Sequence, residues 1–282
     1  MATLREIGRR PAGAAAEGQF GRWFAALAAH LLNATDFLVA GRPYRLAEVE
    51  AYYSGPGHPD PFTHKDPLQR EFGRWYFHRT AGEYRGGSFK GVDLTFGDGR
   101  GTFGVLVRSV VAPDGALIDG PSLTVDHLLR QTGAASVAGL DRAIAGRPWW
   151  DTSSPLAVRE SGEPRAAEVV TTARVGLSLR RGRGRPDAPR FVMRPYRYLT
   201  EPRRITKGKP QTVLALHAAG KDVAAIQAMT GVARRVIDKY VADFAVGECE
   251  PGFEAYTGKE LSTADLCKLI GTWAAHFGRP PV

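Results

Sequence analysis

Polar and apolar positions alternate with period two through RLAEVEAYYSG, Arg45 to Gly55, as they do along a β-strand. Leu46, Glu48, Glu50 and Tyr52 fall on one face; Ala47, Val49 and Ala51 fall on the other. Two carboxylates on one face fit a solvated edge strand. They equally fit a strand that holds a carboxylate beside an aromatic ring at a site. Other strand-like runs are DFLVAG, VDLTFG, GTFGVLVRSVV, ARVGLSL and RFVMRPYRYL. FGRWFAALAAHLLNA and GPSLTVDHLLRQTG carry helical patterns instead. Short Gly- and Pro-bearing connections between the strands predict a mixed α/β (α+β) domain with antiparallel meanders.

The pattern changes after the polar, Pro-bracketed segment EPRRITKGKP, Glu201 to Pro210. Val213, Leu214 and Leu216 anchor a helix that Gly220 ends. Asp222 is placed to cap a second, with Val223, Ile226 and Met229 apolar. After the turn Thr230-Gly231-Val232, a third helix is expected from about Ala233 to Phe244, with Val236, Ile237 and Tyr240 inward. Arg234, Arg235 and Lys239 stand near its start. Two short helices, a Gly-containing turn and basic residues on the second make a helix-turn-helix layout over 213–244. An ordinary three-helix packing unit would read the same way. Three parts are therefore expected: a flexible leader over 1–18, a mixed domain over 19–205 and a small all-helical domain over 206–282.

Charge adds a partner. The 282 residues carry a net charge of +9, and Arg174 to Lys209 alone holds twelve basic residues against two acidic ones. A concentrated basic stripe points to a polyanion, nucleic acid being the usual one, though a solvated loop has the same composition. The two cysteines, Cys249 and Cys267, have no CxxC spacing, which suits a reducing compartment, cytoplasmic (nucleoid-associated) or nuclear. No apolar run approaches a membrane span, and no secretory signal is expected.

GRGTFG, Gly99 to Gly104, has the GxGxxG spacing but lies between two strand patterns, so it reads as a hairpin turn and no dinucleotide cofactor is expected. His58, Asp60, His64 and Asp66 cluster without ligand spacing, so no metal is expected. RRGRGRP, Arg180 to Pro186, holds an Arg-Gly-Arg-Pro core that would suit a narrow minor groove, and also suits a solvated loop. Glu50 has Tyr52 on its own face, His64 soon after, and Arg108 at the end of a strand that needs a counter-charge. A carboxylate, an arginine and an aromatic ring suit attack by water on a sugar carbon beside a stacked base.

The ordered motifs EVEAY, FTH, GVLVRSV, DGPSLTVDHLL, ARVGLSL and RFVMRPYRYLT resemble the methylpurine (alkyladenine, 3-methyladenine) DNA glycosylase family over most of residues 20–200. The resemblance implies a curved, mainly antiparallel sheet. It also implies a monofunctional enzyme that flips a damaged purine from DNA, hydrolyses its N-glycosidic bond and needs no metal or cofactor. Glu50 would be the general base; Arg108 and the Val175 carbonyl would help hold the water. Tyr52 and His64 would contact the flipped base. Tyr84 falls near a base-stacking position, and Asp93 aligns with the family's purine-discriminating Asn.

The family's wedge tyrosine falls near Gly86 or Gly87, and glycine cannot wedge. Arg85, Phe89 and Lys90 are the replacements at hand. Further DNA contacts are expected from Arg180, Arg181, Arg183, Arg185, Arg234, Arg235 and Lys239, on a protein expected to act as a monomer. The missing wedge also admits an N-glycosidase acting on single-stranded DNA, RNA or nucleosides. A non-catalytic helix-turn-helix regulator is the remaining alternative.

Overall fold

The structure is a computed structural model that describes residues 2–11, 17–180 and 185–278. The chain forms two compact units. The first comprises Met1–Pro59, Thr63–Val169 and Tyr198–Thr200; the second comprises Asp60–Phe62, Val170–Arg197 and Glu201–Val282.

The first unit opens with α1 (Leu4–Ile7) and α2 (Glu17–Asn33). Strands β1 (Thr35–Val39), β2 (Arg42–Gly55), β3 (His58–Pro59) and β4 (Phe72–Phe77) follow. Next come the small hairpin β5 (Arg79–Thr80) and β6 (Glu83–Tyr84), then β7 (Val92–Phe96), β8 (Thr102–Val111) and β9 (Leu117–Asp119). The helices α3 (Pro121–Thr132) and α4 (Val137–Ile144) lead to β10 (Leu156–Glu160). The main sheet runs β10-β1-β2-β8-β7-β4, every neighbour antiparallel. Sheet and helices together make an α+β fold.

One sheet face explains why α2 forms. Val49, Ala51 and Tyr53 pair with Val107, Val105 and Phe103 and share that face. Phe20, Trp23 and Phe24 recur at helical spacing on α2 and meet it: Phe20 lies 5.0 Å from Tyr53, and Trp23 lies 4.8 Å from Phe103, ring centre to ring centre. Each ring so buried is worth about 2–3 kcal/mol. The polar residues of β2 are thereby left to the opposite face.

The leader is not loose where it is described. Leu4 is buried, its N–H donates to Glu160 at 2.6 Å, and Trp23 donates to the Ile7 carbonyl at 2.9 Å. FGRWYF, Phe72 to Phe77, lacks alternation and was not legible as a strand; it is the edge strand β4.

The second unit contains β11 (Val170–Thr172), α5 (Ala188–Val192) and the first residue of β12 (Arg197–Leu199). The helices α6 (Lys209–Ala218), α7 (Val223–Thr230), α8 (Arg234–Glu248) and α9 (Thr263–Phe277) complete it. Two strand expectations are corrected here. ARVGLSL, Ala173 to Leu179, is irregular, and RFVMRPYRYL begins in α5 and becomes a strand only at Arg197. The division near residue 205 also moves. Ala173, Leu179, Ala188, Val192 and Met193 share one buried cluster with Tyr256, Leu269 and Trp273, so 170–197 joins the C-terminal helices. No helix among the described residues is long and apolar enough to cross a membrane.

Candidate functional site

The polar face of the first unit is built around Arg108. β2 and β8 run in register from Ser54–Thr102 to Val49–Val107 and then shift, leaving Arg108 as an extra residue before Ser109 pairs with Glu48. Such a bulge lets two successive side chains serve one partner. Arg108 Nε donates to Glu48 Oε1 at 2.9 Å, and Ser109 Oγ donates to Glu48 Oε2 at 2.6 Å. Arg108 Nη1 reaches Glu50 Oε2 at 3.3 Å, where the Tyr52 hydroxyl also donates at 2.8 Å. Glu48 and Glu50 are fully buried. The start of α3 closes one side: the Gly120 N–H donates to Ser109 Oγ at 3.2 Å, and Thr124 Oγ1 donates to the Arg108 carbonyl at 3.0 Å.

Two buried carboxylates around one guanidinium set the electrostatics. Burial works against the charge of Arg108, but the carboxylates of Glu50 and Glu48 outweigh it and hold the proton more firmly than on a free arginine. Of the two readings that alternation left open, the solvated edge strand does not hold: both carboxylates are buried, and Glu48 pairs with Arg108.

A second polar group lies on the same face. Tyr76, Asp93, Leu106 and Glu50 stand directly opposite one another across β4, β7, β8 and β2, so their side chains share a face. Two strand spacings, roughly 10 Å, separate the Asp93 and Glu50 backbones. His78 Nε2 donates to Asp93 Oδ1 at 2.7 Å, and Gln69 Nε2 donates to Asp93 Oδ2 at 2.9 Å. His64 Nδ1 lies 2.9 Å from the Tyr76 hydroxyl, and its ring centre is 4.3 Å from that of His78. Burial, then the neighbouring His78, lowers the His64 pKa to about 4, so its imidazole is neutral near pH 7. Burial, then the charges of Asp66 and Asp93, raises that of Tyr76.

Gly104 makes room for this group. A side chain there would collide with Asp93 Oδ2 and come within 2.6 Å of Gln69 Nε2.

Glu50, Tyr52 and Arg108 are therefore brought together, and His64 and Asp93 belong to the adjoining group on that face. Asp93 is only 2% exposed and engages His78 and Gln69, so His78 is the side chain through which it would act on a ligand. Tyr84 is elsewhere: its hydroxyl donates to Asp141 at 2.6 Å, and Arg79 lies over its ring at 4.5 Å. It lines a surface cleft of about 400 Å³ with Thr80, Glu83, Arg85, Gly86 and Phe89.

Among the wedge candidates, Lys90 is held by Asp126 at 2.9 Å and Arg85 donates to Thr80 at 3.0 Å. Phe89, at the end of the short turn Gly87–Phe89, is 72% exposed. Val175 lies in the second unit. There Arg180 pairs with Glu260, and Arg185 reaches the Pro61 carbonyl at 3.5 Å. Arg181 and Arg183 lie outside the described residues. Arg234, Arg235 and Lys239 are exposed on α8.

The four residues weighed for a metal have separate engagements. His58 packs against Phe20 and Phe24, Asp60 binds Arg174 at 2.6 Å, His64 faces Tyr76, and Asp66 caps the turn Pro67–Arg70. GDGRG is a turn, with Asp98 accepting from the N–H groups of Arg100 and Gly101.

Sequence reasoning missed Gln69, Tyr76 and His78. Their only sequence signal is a polar side chain in or beside the unpatterned strand β4, and pairing of β4 with β7 is what brings His78 to Asp93.

Over 124 residues the chain is 37% identical to an uncharacterized protein of Acanthamoeba polyphaga mimivirus. The match takes in 39% of this chain and 57% of that protein, so the chain spans little more than half of its relative. No family model matches the chain. No solved structure matches it.

Proposed function

We propose that the protein is a monofunctional DNA N-glycosylase that releases a modified purine and leaves an abasic site in base excision repair. The observation that carries this reading is the Glu50 carboxylate, buried, gripped by Arg108 and beside the Tyr52 hydroxyl. Hydrolysis of an N-glycosidic bond needs a carboxylate that both deprotonates water and faces the positive charge growing on the sugar. Arg108 bonds to both Glu50 and Glu48 and so holds the two carboxylates side by side. Glu50 is buried beneath this face.

The His64, Tyr76 and His78 group supplies rings and polar atoms for the base. A neutral His64 can accept as well as donate, and Asp93 orients His78. Phe89 is the exposed ring suited to fill the gap that a flipped base leaves.

The test is a panel of alkylated and deaminated bases placed in duplex DNA, single-stranded DNA, RNA and free nucleosides. Base release with strong duplex preference supports the reading. Release only from single strands or nucleosides moves the substrate class, and no release from any of them overturns it.

A further inference from the structure

The second unit carries a surface that the chemistry of the first does not use. Helix α7 is capped by Asp222, which accepts from Ala225 N–H at 2.7 Å, and ends at Gly231 with φ +69°. Three residues, Gly231 to Ala233, then turn the chain into α8. Lys209 fixes this arrangement from within, donating to the carbonyls of Pro202 at 2.8 Å, Arg203 at 3.0 Å and Thr230 at 2.6 Å. Ile226, Ile237 and Leu214 are buried, so the apolar sides of α6, α7 and α8 face inward. The result is two helices joined by a tight turn on a rigid support.

The outward side of α8 differs. Arg235 and Lys239 stand one turn apart, both exposed, and neither makes a hydrogen bond or ion pair with any described residue. Arg234 is exposed beside them and meets Asp238 only at 3.8 Å. Farther along, the exposed positions are the small Ala242 and Ala245 and, near the end of the helix, Val246. The charge is segregated as well: Arg203 to Lys239 holds eight Lys or Arg against two Asp, whereas Tyr240 to Val282 holds three Lys or Arg against six Asp or Glu. A uniformly solvated surface gives no reason for that division.

We propose that α8 is a DNA-reading helix, entering the major groove of duplex DNA with Arg235 and Lys239 directed at phosphates and base edges. A polyanion meets the charge of this face. The groove of B-form DNA, about 12 Å wide, admits a helix, while that of A-form RNA is too narrow. This second DNA contact is independent of base release.

The test measures binding of the full-length protein to undamaged duplex DNA by fluorescence anisotropy across a salt series. Arg235→Ala/Lys239→Ala should weaken binding on the order of tenfold and make the slope of log K against log salt shallower by about two. Arg100→Ala/Lys259→Ala removes the same charge from other exposed positions and should change neither by more than about twofold; circular dichroism confirms that both variants are folded. Unaltered binding by Arg235→Ala/Lys239→Ala overturns the proposal. So does an equal loss in the control pair, no duplex binding by the wild type, or tighter binding to duplex RNA or to an acidic protein. The readout is binding to undamaged duplex, so failure of base release leaves this result untouched.

Discussion

At the scale of single residues, the molecule turns on how it keeps two carboxylates buried on β2. Both depend on Arg108, through bonds at 2.9 Å to Glu48 and 3.3 Å to Glu50. Removing one partner from a buried charge cluster leaves the others uncompensated. Arg108→Met should therefore destabilise the first unit by about 3–5 kcal/mol, read as a lower midpoint in urea denaturation. A surface arginine such as Arg100 should tolerate the same change within about 0.5 kcal/mol.

His64 supplies the pH dependence. Its folded pKa of about 4 lies below the unfolded value of 6.5, because burial disfavours the charged ring. The unfolded chain then binds the proton more readily, so this contribution to stability is complete above pH 6.5 and declines as the pH falls towards about 4. Denaturation midpoints measured over that interval should drop for the wild type, and His64→Gln should flatten that part of the curve.

At the scale of elements, the polar face depends on a bulge and a glycine. The bulge sets Arg108 and Ser109 on the same carboxylate. Gly104 lets Asp93 and Gln69 lie across β8. Gly104→Ala should cost about 1–3 kcal/mol by overpacking and should detach Gln69 from Asp93, visible as a shift in the His78 ring resonances. Alternation made β2 and β8 legible, and the order Glu48, Glu50, Tyr52 placed the right residues on one face. It could not reveal the bulge, because register is a property of two strands. It missed β4 because Trp75, Tyr76 and Phe77 are all buried and leave no polar alternation. It misread Ala173 to Leu179 because that segment owes its apolar positions to packing on Tyr256, Leu269 and Trp273. The cap at Asp222 and the glycine after α7 were readable because both are local.

At the scale of the whole molecule, the chain folds into two units. One holds a buried carboxylate on the polar face of an antiparallel sheet; the other presents Arg234, Arg235 and Lys239 at the start of an exposed helix. The net charge of +9 was the whole-chain reason to expect a polyanionic partner, and the proposal for α8 assigns that partner to one surface. The central claim is that Glu50 activates water for base release. Single-turnover release from an alkylated duplex, scored as alkali-labile abasic sites, tests it most directly in wild type and Glu50→Gln. Efficient release by the wild type and a loss of about 10²–10⁴-fold in the variant, with duplex binding intact, is the outcome the account predicts. Equal release by both proteins would contradict it.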